Sequence, residues 1–228
     1  MSEEDELALD PDRSNFILIV GRKGSGKSEL GARYFASYPH DRMVIDPTGD
    51  VKPPEGTENL RDPLPVRFPD HPLADDQGER IQTSYRFHPD VGSALHEDEV
   101  DRAIGMCFHH PRRRSACWID EVDVVAPNSS RLRPNMMRAL KQGRHKGLTL
   151  IVCGIRPMAI NPLFLSQADY VATFTLPNPD DRKRVASSIG VEPKEFDALQ
   201  GQLDDFEFLW CDVRNHTITH CPPIPDVR

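Results

Sequence analysis

The sequence predicts an α/β fold with a mainly parallel sheet, helices on both faces and a C-terminal antiparallel hairpin. Three observations lead to this fold class. Short apolar runs such as Phe16–Val20 are typical of strands that are buried on both faces. Segments with apolar residues at helical spacing alternate with these runs, as expected for a parallel sheet. The first run also leads through a glycine-rich loop into a helical segment.

The elements of the first half follow from periodicity and from proline positions. After the first strand we predict a helix over residues 29–38, which Pro39 ends, and a strand over 42–46. Short strand-like pieces follow at 65–68 and at Ser84–Phe87. A helix over 97–109 then precedes a buried strand at 116–119.

The second half repeats the alternation of helix and strand. It predicts a helix over 134–146, a strand over 148–155, a short helix over 163–167, a strand over 170–176 and a helix over 180–189. Two further strands, 206–213 and 217–220, flank Arg214-Asn215-His216 and predict the hairpin.

The chain of 228 residues predicts one domain, 14–228, with a proline-rich elaboration at 47–89 that contains eight prolines. Six acidic residues precede the first basic one, so residues 1–13 predict an acidic disordered tail. Because the net charge is −8, the remainder carries only −2 and does not exclude a DNA partner. Five cysteines without CxxC spacing predict reduced, structural thiols. No apolar stretch is long enough to predict a membrane span.

The glycine-rich loop matches the pattern G-x-x-x-x-G-K-[ST] and lies between a predicted strand and a predicted helix. In such a loop, backbone N–H groups and the helix N-terminus bind phosphate, the lysine neutralises the β- and γ-phosphates, and the Ser28 hydroxyl binds Mg²⁺. The sequence thus predicts ATP and Mg²⁺ as cofactors. The predicted nucleotide-binding residues are Gly21, Arg22, Lys23, Gly24, Ser25, Gly26, Lys27, Ser28 and Glu29.

Two adjacent carboxylates end the strand at 116–119. In a parallel sheet they lie at the edge that also carries the phosphate loop. Asp120 is the predicted Mg²⁺ partner, and Glu121 the residue that polarises water for attack on the γ-phosphate, which favours hydrolysis. The alternative for these residues is a solvated strand-to-loop transition.

Four segments in this order resemble the FtsK–HerA superfamily of ring-forming DNA-translocating ATPases. They are 21–28, Asp46-Pro47-Thr48-Gly49, Ile119-Asp120-Glu121, and Gly143-Arg144-His145-Lys146-Gly147 running into 148–157. The resemblance covers residues 16 to about 176. Ile155 stands where the family has a glutamine that senses the γ-phosphate, which leaves that role unassigned.

The resemblance implies a RecA-like sheet, a homo-hexameric ring, and ATP bound between subunits with an arginine donated by the neighbour. Arg144 matches the family's segment best, and Arg138 is the second choice. Such an arginine neutralises charge that develops on the γ-phosphate. Nearby basic residues are candidates for contacts to DNA phosphates. These are Arg131, Arg133, Lys141 and Lys146. A solvated helix face is the alternative for all of these side chains.

Within the superfamily, the small size of the chain makes it most similar to the genome-packaging ATPases of membrane-containing icosahedral viruses. The resemblance implies a motor that moves double-stranded DNA into a preformed capsid, in the host cytoplasm and at the virion vertex. The first alternative is a motor for conjugation, secretion or filamentous-phage assembly, whose partner would be a membrane channel. A nucleotide switch or small-molecule kinase is the alternative from another class.

Overall fold

The computed structural model describes residues 14–60, 67–69, 73–74, 80–112, 114–126 and 131–224. The predicted acidic tail lies outside them, as do parts of the proline-rich stretch. The strands are β1 (Phe16–Val20), β2 (Asp41–Ile45), β3 (Glu58–Leu60), β4 (Leu73–Ala74), β5 (Arg80–Ile81), β6 (Ser84–Phe87), β7 (Ser115–Ile119), β8 (Leu148–Gly154), β9 (Tyr170–Thr173), β10 (Phe208–Asp212) and β11 (Thr217–Cys221).

Nine strands of the described residues form one sheet in the order β11-β10-β9-β1-β8-β7-β2-β6-β3. From β9 to β3 the neighbours are parallel, whereas β10 pairs antiparallel with both β9 and β11. The strands β4 and β5 pair separately. The predicted α/β fold, with its mainly parallel sheet and C-terminal hairpin, is confirmed.

Helices cover both faces of this sheet. They are α1 (Lys27–Ser37), α2 (His96–Phe108), α3 (Val122–Val125), α4 (Pro134–Gln142), α5 (Pro162–Gln167), α6 (Pro179–Ile189) and α7 (Pro193–Gln200). Alternate residues of β1 belong to different cores: Ile17 and Ile19 pack with α1, and Leu18 and Val20 with the core under the other helices. None of the helices in the described part of the chain has the length and apolar character of a membrane span.

Helix α1 approaches the sheet closely because Gly31 has no side chain. A Cβ atom on Gly31 would lie 2.9 Å from Nε1 of the Trp118 indole in β7. The indole is buried and also packs against Phe35 of α1. This close contact places the first turn of α1 beside the end of β7.

The structure differs from the predicted elements in several places. The helix predicted over 134–146 ends at Gln142, and a separate 3₁₀ turn at Arg144–Lys146 leads to Gly147, whose φ of 73° stops helical geometry. The described residues 67–69 form no strand, contrary to the prediction for 65–68. Helices α3 and α7 and strand β3 were not predicted, since each is too short for a clear apolar period.

Candidate functional site

The loop between β1 and α1 requires its glycines. Gly24 and Gly26 have φ values of 75° and 102°, in the region that disfavours side chains. A Cβ atom on Gly21 would lie 2.6 Å from Cβ of Phe174, so only glycine fits there. The N–H groups of Gly21 and Arg22 donate to the carbonyls of Gly154 and Thr175, both at 3.3 Å, which fixes the loop to the ends of β8 and β9.

The loop has donors that suit phosphate oxygens. The Ser25 hydroxyl is buried and has no hydrogen-bond partner among the described residues. Helix α1 begins at Lys27 without a side-chain cap, so its first backbone N–H groups remain available as donors. Buried donors without a partner are costly, and an anion would satisfy them. The residues therefore fit a bound phosphate group.

Lys27 is held inside this loop. Its Nζ atom donates to the carbonyl of Arg22 at 2.9 Å, and the side chain is buried. Burial lowers the pKa of Lys27, while nearby carboxylates, including that of Asp120, act to raise it. A phosphate beside Nζ would stabilise the ammonium charge that burial disfavours.

Ser28 and Asp120 lie together at this edge of the sheet. The Ser28 hydroxyl donates to Oδ1 and Oδ2 of Asp120 at 3.1 and 3.2 Å. Asp120 follows β7, and its N–H donates to the Ile45 carbonyl at the end of β2 at 3.0 Å. Burial, with smaller contributions from the Asp46 and Glu121 carboxylates, raises the pKa of Asp120 to about 6. A hydroxyl and a carboxylate of this kind form a donor set that suits Mg²⁺.

Glu121 directly precedes α3 in a left-handed conformation, with φ 49° and ψ 58°. Such a conformation is unusual for a residue with a long side chain, and strained backbone of this kind clusters at functional sites. The side chain is half-buried beside Asp120. This geometry sets Glu121 at the edge of the sheet that carries the phosphate loop.

Asp123 has a role that the sequence did not reveal. Its Oδ1 atom accepts from the Ile155 N–H at 2.9 Å, which ties α3 to the chain after β8. Burial raises the pKa of Asp123. The sequence signal was a third carboxylate close to Asp120, but its partner lies 32 residues away.

The segment after β2 is organised by Asp46, whose carboxylate is buried. It accepts from the N–H groups of Gly49 at 2.8 Å and Val51 at 3.2 Å, and from Nε of Arg86 at 3.0 Å. The motif Asp46-Pro47-Thr48-Gly49 thus forms a closed turn next to Asp120. Arg86, in β6, is a partner that the sequence did not indicate.

The two candidate arginines lie on α4 and in the 3₁₀ turn that follows it. Arg144 is at the opposite edge of the sheet, before β8, where its guanidinium pairs with Asp169. Arg138 is exposed on α4 and donates to Oδ1 of Asn135 at 3.3 Å. Arg144 therefore cannot reach the phosphate loop of its own chain.

The candidate DNA-contacting residues are exposed: Arg131, Arg133, Lys141 and Lys146. Arg133 forms ion pairs with Glu97 at 3.1 Å and with Asp98 at 2.9 Å. Of the loop residues, Arg22, Lys23 and Glu29 are also exposed. Arg22 directs its guanidinium to Asp205, at 2.7 Å, and not into the loop.

The parallel sheet, the glycine loop after β1 and the carboxylates after β7 together define a P-loop NTPase with a RecA-like α/β fold. No protein-family model matches the chain. In sequence, the chain is 23% identical over 233 residues to the DNA packaging ATPase of Enterobacteria phage PRD1. The alignment covers 94% of this chain and 89% of that protein.

Solved structures give the same fold. The genome packaging NTPase of Sulfolobus turreted icosahedral virus 2, in complex with ATP-gammaS, has a TM-score of 0.72 at 20% identity, covering 95% of this chain and 100% of that one. VirB4 of Thermoanaerobacter pseudethanolicus has a TM-score of 0.60 at 11% identity, covering 92% and 89%. Both comparisons agree with the resemblance to the FtsK–HerA superfamily, and at these identities the structures establish the fold alone.

Proposed function

We propose that the protein is an ATP-hydrolysing motor that moves double-stranded viral DNA into a preformed capsid. The observation that carries the proposal is the meeting of Lys27, Ser28, Asp120 and Glu121 at one edge of the sheet. Similarity along almost the whole chain to a DNA packaging ATPase supports the packaging role.

The segment 21–29 would bind the phosphates of ATP through its N–H groups, the Ser25 hydroxyl and Lys27. Ser28 and Asp120 would hold Mg²⁺, which neutralises charge on the β- and γ-phosphates. Glu121 would orient the attacking water and accept its proton. A carboxylate suits this task because its oxygens accept hydrogen bonds from water and can take up the proton that the water releases.

Movement of DNA requires a second set of residues. In a homo-hexameric ring, Arg144, or Arg138 in its place, would reach the nucleotide of the neighbouring subunit. Arg131, Arg133, Lys141 and Lys146 would contact DNA phosphates, which need only suitably placed cations. The ring would act in the host cytoplasm at the capsid vertex, with a vertex protein as its partner.

Hydrolysis by the purified full-length protein, measured with and without duplex DNA, tests the motor. We expect DNA to stimulate hydrolysis and the protein to assemble with nucleotide bound, as followed by light scattering. Lys27→Ala is the control for contaminating ATPases. Hydrolysis that is indifferent to DNA, by a protein that stays monomeric with nucleotide, would instead indicate a nucleotide switch or small-molecule kinase.

A motor that serves conjugation, secretion or filamentous-phage assembly would give the same biochemical result, with a membrane channel as its partner. The neighbouring genes separate these two functions. Capsid genes beside this one support packaging, whereas relaxase or pilus genes would overturn it.

A further inference from the structure

The turn before β10 lies beside the phosphate loop although it is distant in sequence. Because β10 runs antiparallel to β9, the start of β10 meets the end of β9, at the edge where β1 enters the loop. The N–H of Asp204 donates to Oε2 of Glu207 at 2.9 Å, and Nε2 of His220 lies 2.8 Å from the same oxygen. These bonds give the turn a defined shape.

An ion pair and a close approach join this turn to the phosphate loop. The Arg22 guanidinium pairs with Asp205 at 2.7 Å. A Cβ atom on Gly26 would lie 3.7 Å from Cδ1 of Phe206, and 3.3 Å from Cε1 of Phe174 on the sheet side. Because Gly26 precedes the first residue of α1, the Phe206 ring is placed at the mouth of the nucleotide site.

The backbone conformation and the solvent exposure of Phe206 are both energetically unfavourable. Its φ of 68° is in the left-handed region, and 55% of its surface is exposed. Strain of this kind persists where the surrounding structure imposes it, often at ligand contacts. The ring therefore has an open face beside the phosphate loop.

The strand order shows which part of a nucleotide would meet this ring. Asp120 follows β7, on one side of β1, and Phe206 precedes β10, on the other side. Phosphates that extend towards Ser28 and Asp120 leave the nucleoside end of the molecule on the Phe206 side. A flat aromatic ring provides a stacking surface for any nucleobase.

We propose that Phe206 is the platform on which the nucleobase stacks, with Asp205 holding the turn in place through Arg22. The inference rests on the proposed binding of ATP and assigns it a contact that the glycine-loop motif does not contain. Stacking on a ring face does not distinguish adenine from guanine, so the platform contributes affinity for nucleotides and not selectivity between purines.

Binding of two probes by the full-length protein tests the platform: ATP-gammaS and inorganic tripolyphosphate, each with Mg²⁺, by calorimetry. Phe206→Ala is expected to weaken ATP-gammaS binding about 5- to 150-fold, the range measured for loss of one base–aromatic stack. Binding of tripolyphosphate should not change, and Phe206→Tyr should restore ATP-gammaS binding. Leu95→Ala removes an exposed apolar side chain elsewhere and serves as the matched control.

The outcomes separate the platform from the proposed function. If the wild-type protein binds ATP-gammaS and Phe206→Ala binds it equally well, the platform is overturned while the ATP site stands. If the variant loses affinity for both probes to the same extent, Phe206 shapes the phosphate loop and does not contact the base. A wild-type protein that binds neither probe would overturn both proposals.

Discussion

Burial of Asp120 disfavours the ionised carboxylate that its proposed role as a Mg²⁺ ligand requires. An unfolded aspartate ionises near pH 4, whereas burial raises the pKa of Asp120 to about 6 in the folded, metal-free protein. The raised pKa therefore stabilises the fold fully below about pH 4, and this contribution is lost as the pH rises through about 6. At neutral pH the ionised carboxylate destabilises the fold unless a cation neutralises it.

Asp120→Asn should consequently stabilise the metal-free protein at pH 8. We expect the free energy of unfolding to rise by about 1–3 kcal/mol at pH 8 and to change little at pH 4, where the native carboxyl is already protonated. Urea unfolding in EDTA at both pH values measures this, with Asp98→Asn as an exposed control. Equal or lower stability of Asp120→Asn at pH 8 would contradict the electrostatic argument.

The roles of Lys27 and Glu121 can be separated by binding and turnover. Glu121→Gln keeps the size of the side chain but cannot accept the proton of water, so turnover should fall about 10²- to 10⁴-fold while ATP-gammaS binding is retained. Lys27→Ala should lose binding itself, because the phosphates lose their buried cation. Single-turnover hydrolysis and equilibrium binding distinguish the two effects. Normal turnover by the Glu121→Gln variant would show that Glu121 does not take part in the mechanism.

Some of the site was readable from local sequence and some was not. The loop from Gly21 to Ser28 is contiguous, and its spacing alone predicts its position after β1. The contacts of Asp123 with Ile155, of Asp46 with Arg86 and of Arg22 with Asp205 join residues 32, 40 and 183 positions apart. Such pairs depend on strand order, which a single sequence does not specify.

Among the elements, central strands were predictable because they are buried on both faces. All five residues of β1 and of β7 are buried, and all of them except Ser115 at the start of β7 are apolar, which gives each strand an apolar run. The start of α4 has a different cause. Its N-cap, Arg133, offers no capping side chain, and the partner comes from another helix: Asp101 of α2 accepts from the N–H groups of Asn135 and Met136, both at 2.9 Å.

Asp101→Ala should therefore destabilise the fold by about 1–3 kcal/mol, since it leaves these N–H groups without an acceptor and removes a charge that favours the helix N-terminus. Asp98→Ala, on the same helix, removes an exposed ion pair with Arg133 and one of three acidic side chains in the first turn of α2, and should cost about 0–1 kcal/mol. Chemical unfolding of both variants gives the comparison. Equal losses would show that the Asp101 contact does not hold α4 to α2.

The whole molecule places its candidate groups at two opposite edges of one sheet. The phosphate loop, Asp120 and Glu121 follow the carboxyl ends of the strands, whereas Arg144 precedes β8 at the amino ends. The five residues of β1 alone separate these edges by about 17 Å. The distance excludes action of Arg144 on the nucleotide of its own chain, and any contact with ATP needs a second copy in a head-to-tail arrangement.

Complementation between two inactive variants tests this arrangement. Arg144→Ala keeps an intact phosphate loop, and Lys27→Ala keeps an intact Arg144. A mixed ring therefore contains some complete sites, in which an Arg144→Ala subunit supplies the phosphate loop and a neighbouring Lys27→Ala subunit supplies Arg144. An equal mixture should recover up to about a quarter of the wild-type ATPase activity, because random assembly joins the two sound halves at that fraction of interfaces. Arg138→Ala mixed with Lys27→Ala tests the second candidate in the same way. Gln142→Ala, an exposed change on α4, should be active without a partner. If Arg144→Ala is itself active, or if the mixture stays inactive although light scattering shows rings, Arg144 does not act on a neighbour's nucleotide and its ion pair with Asp169 is structural.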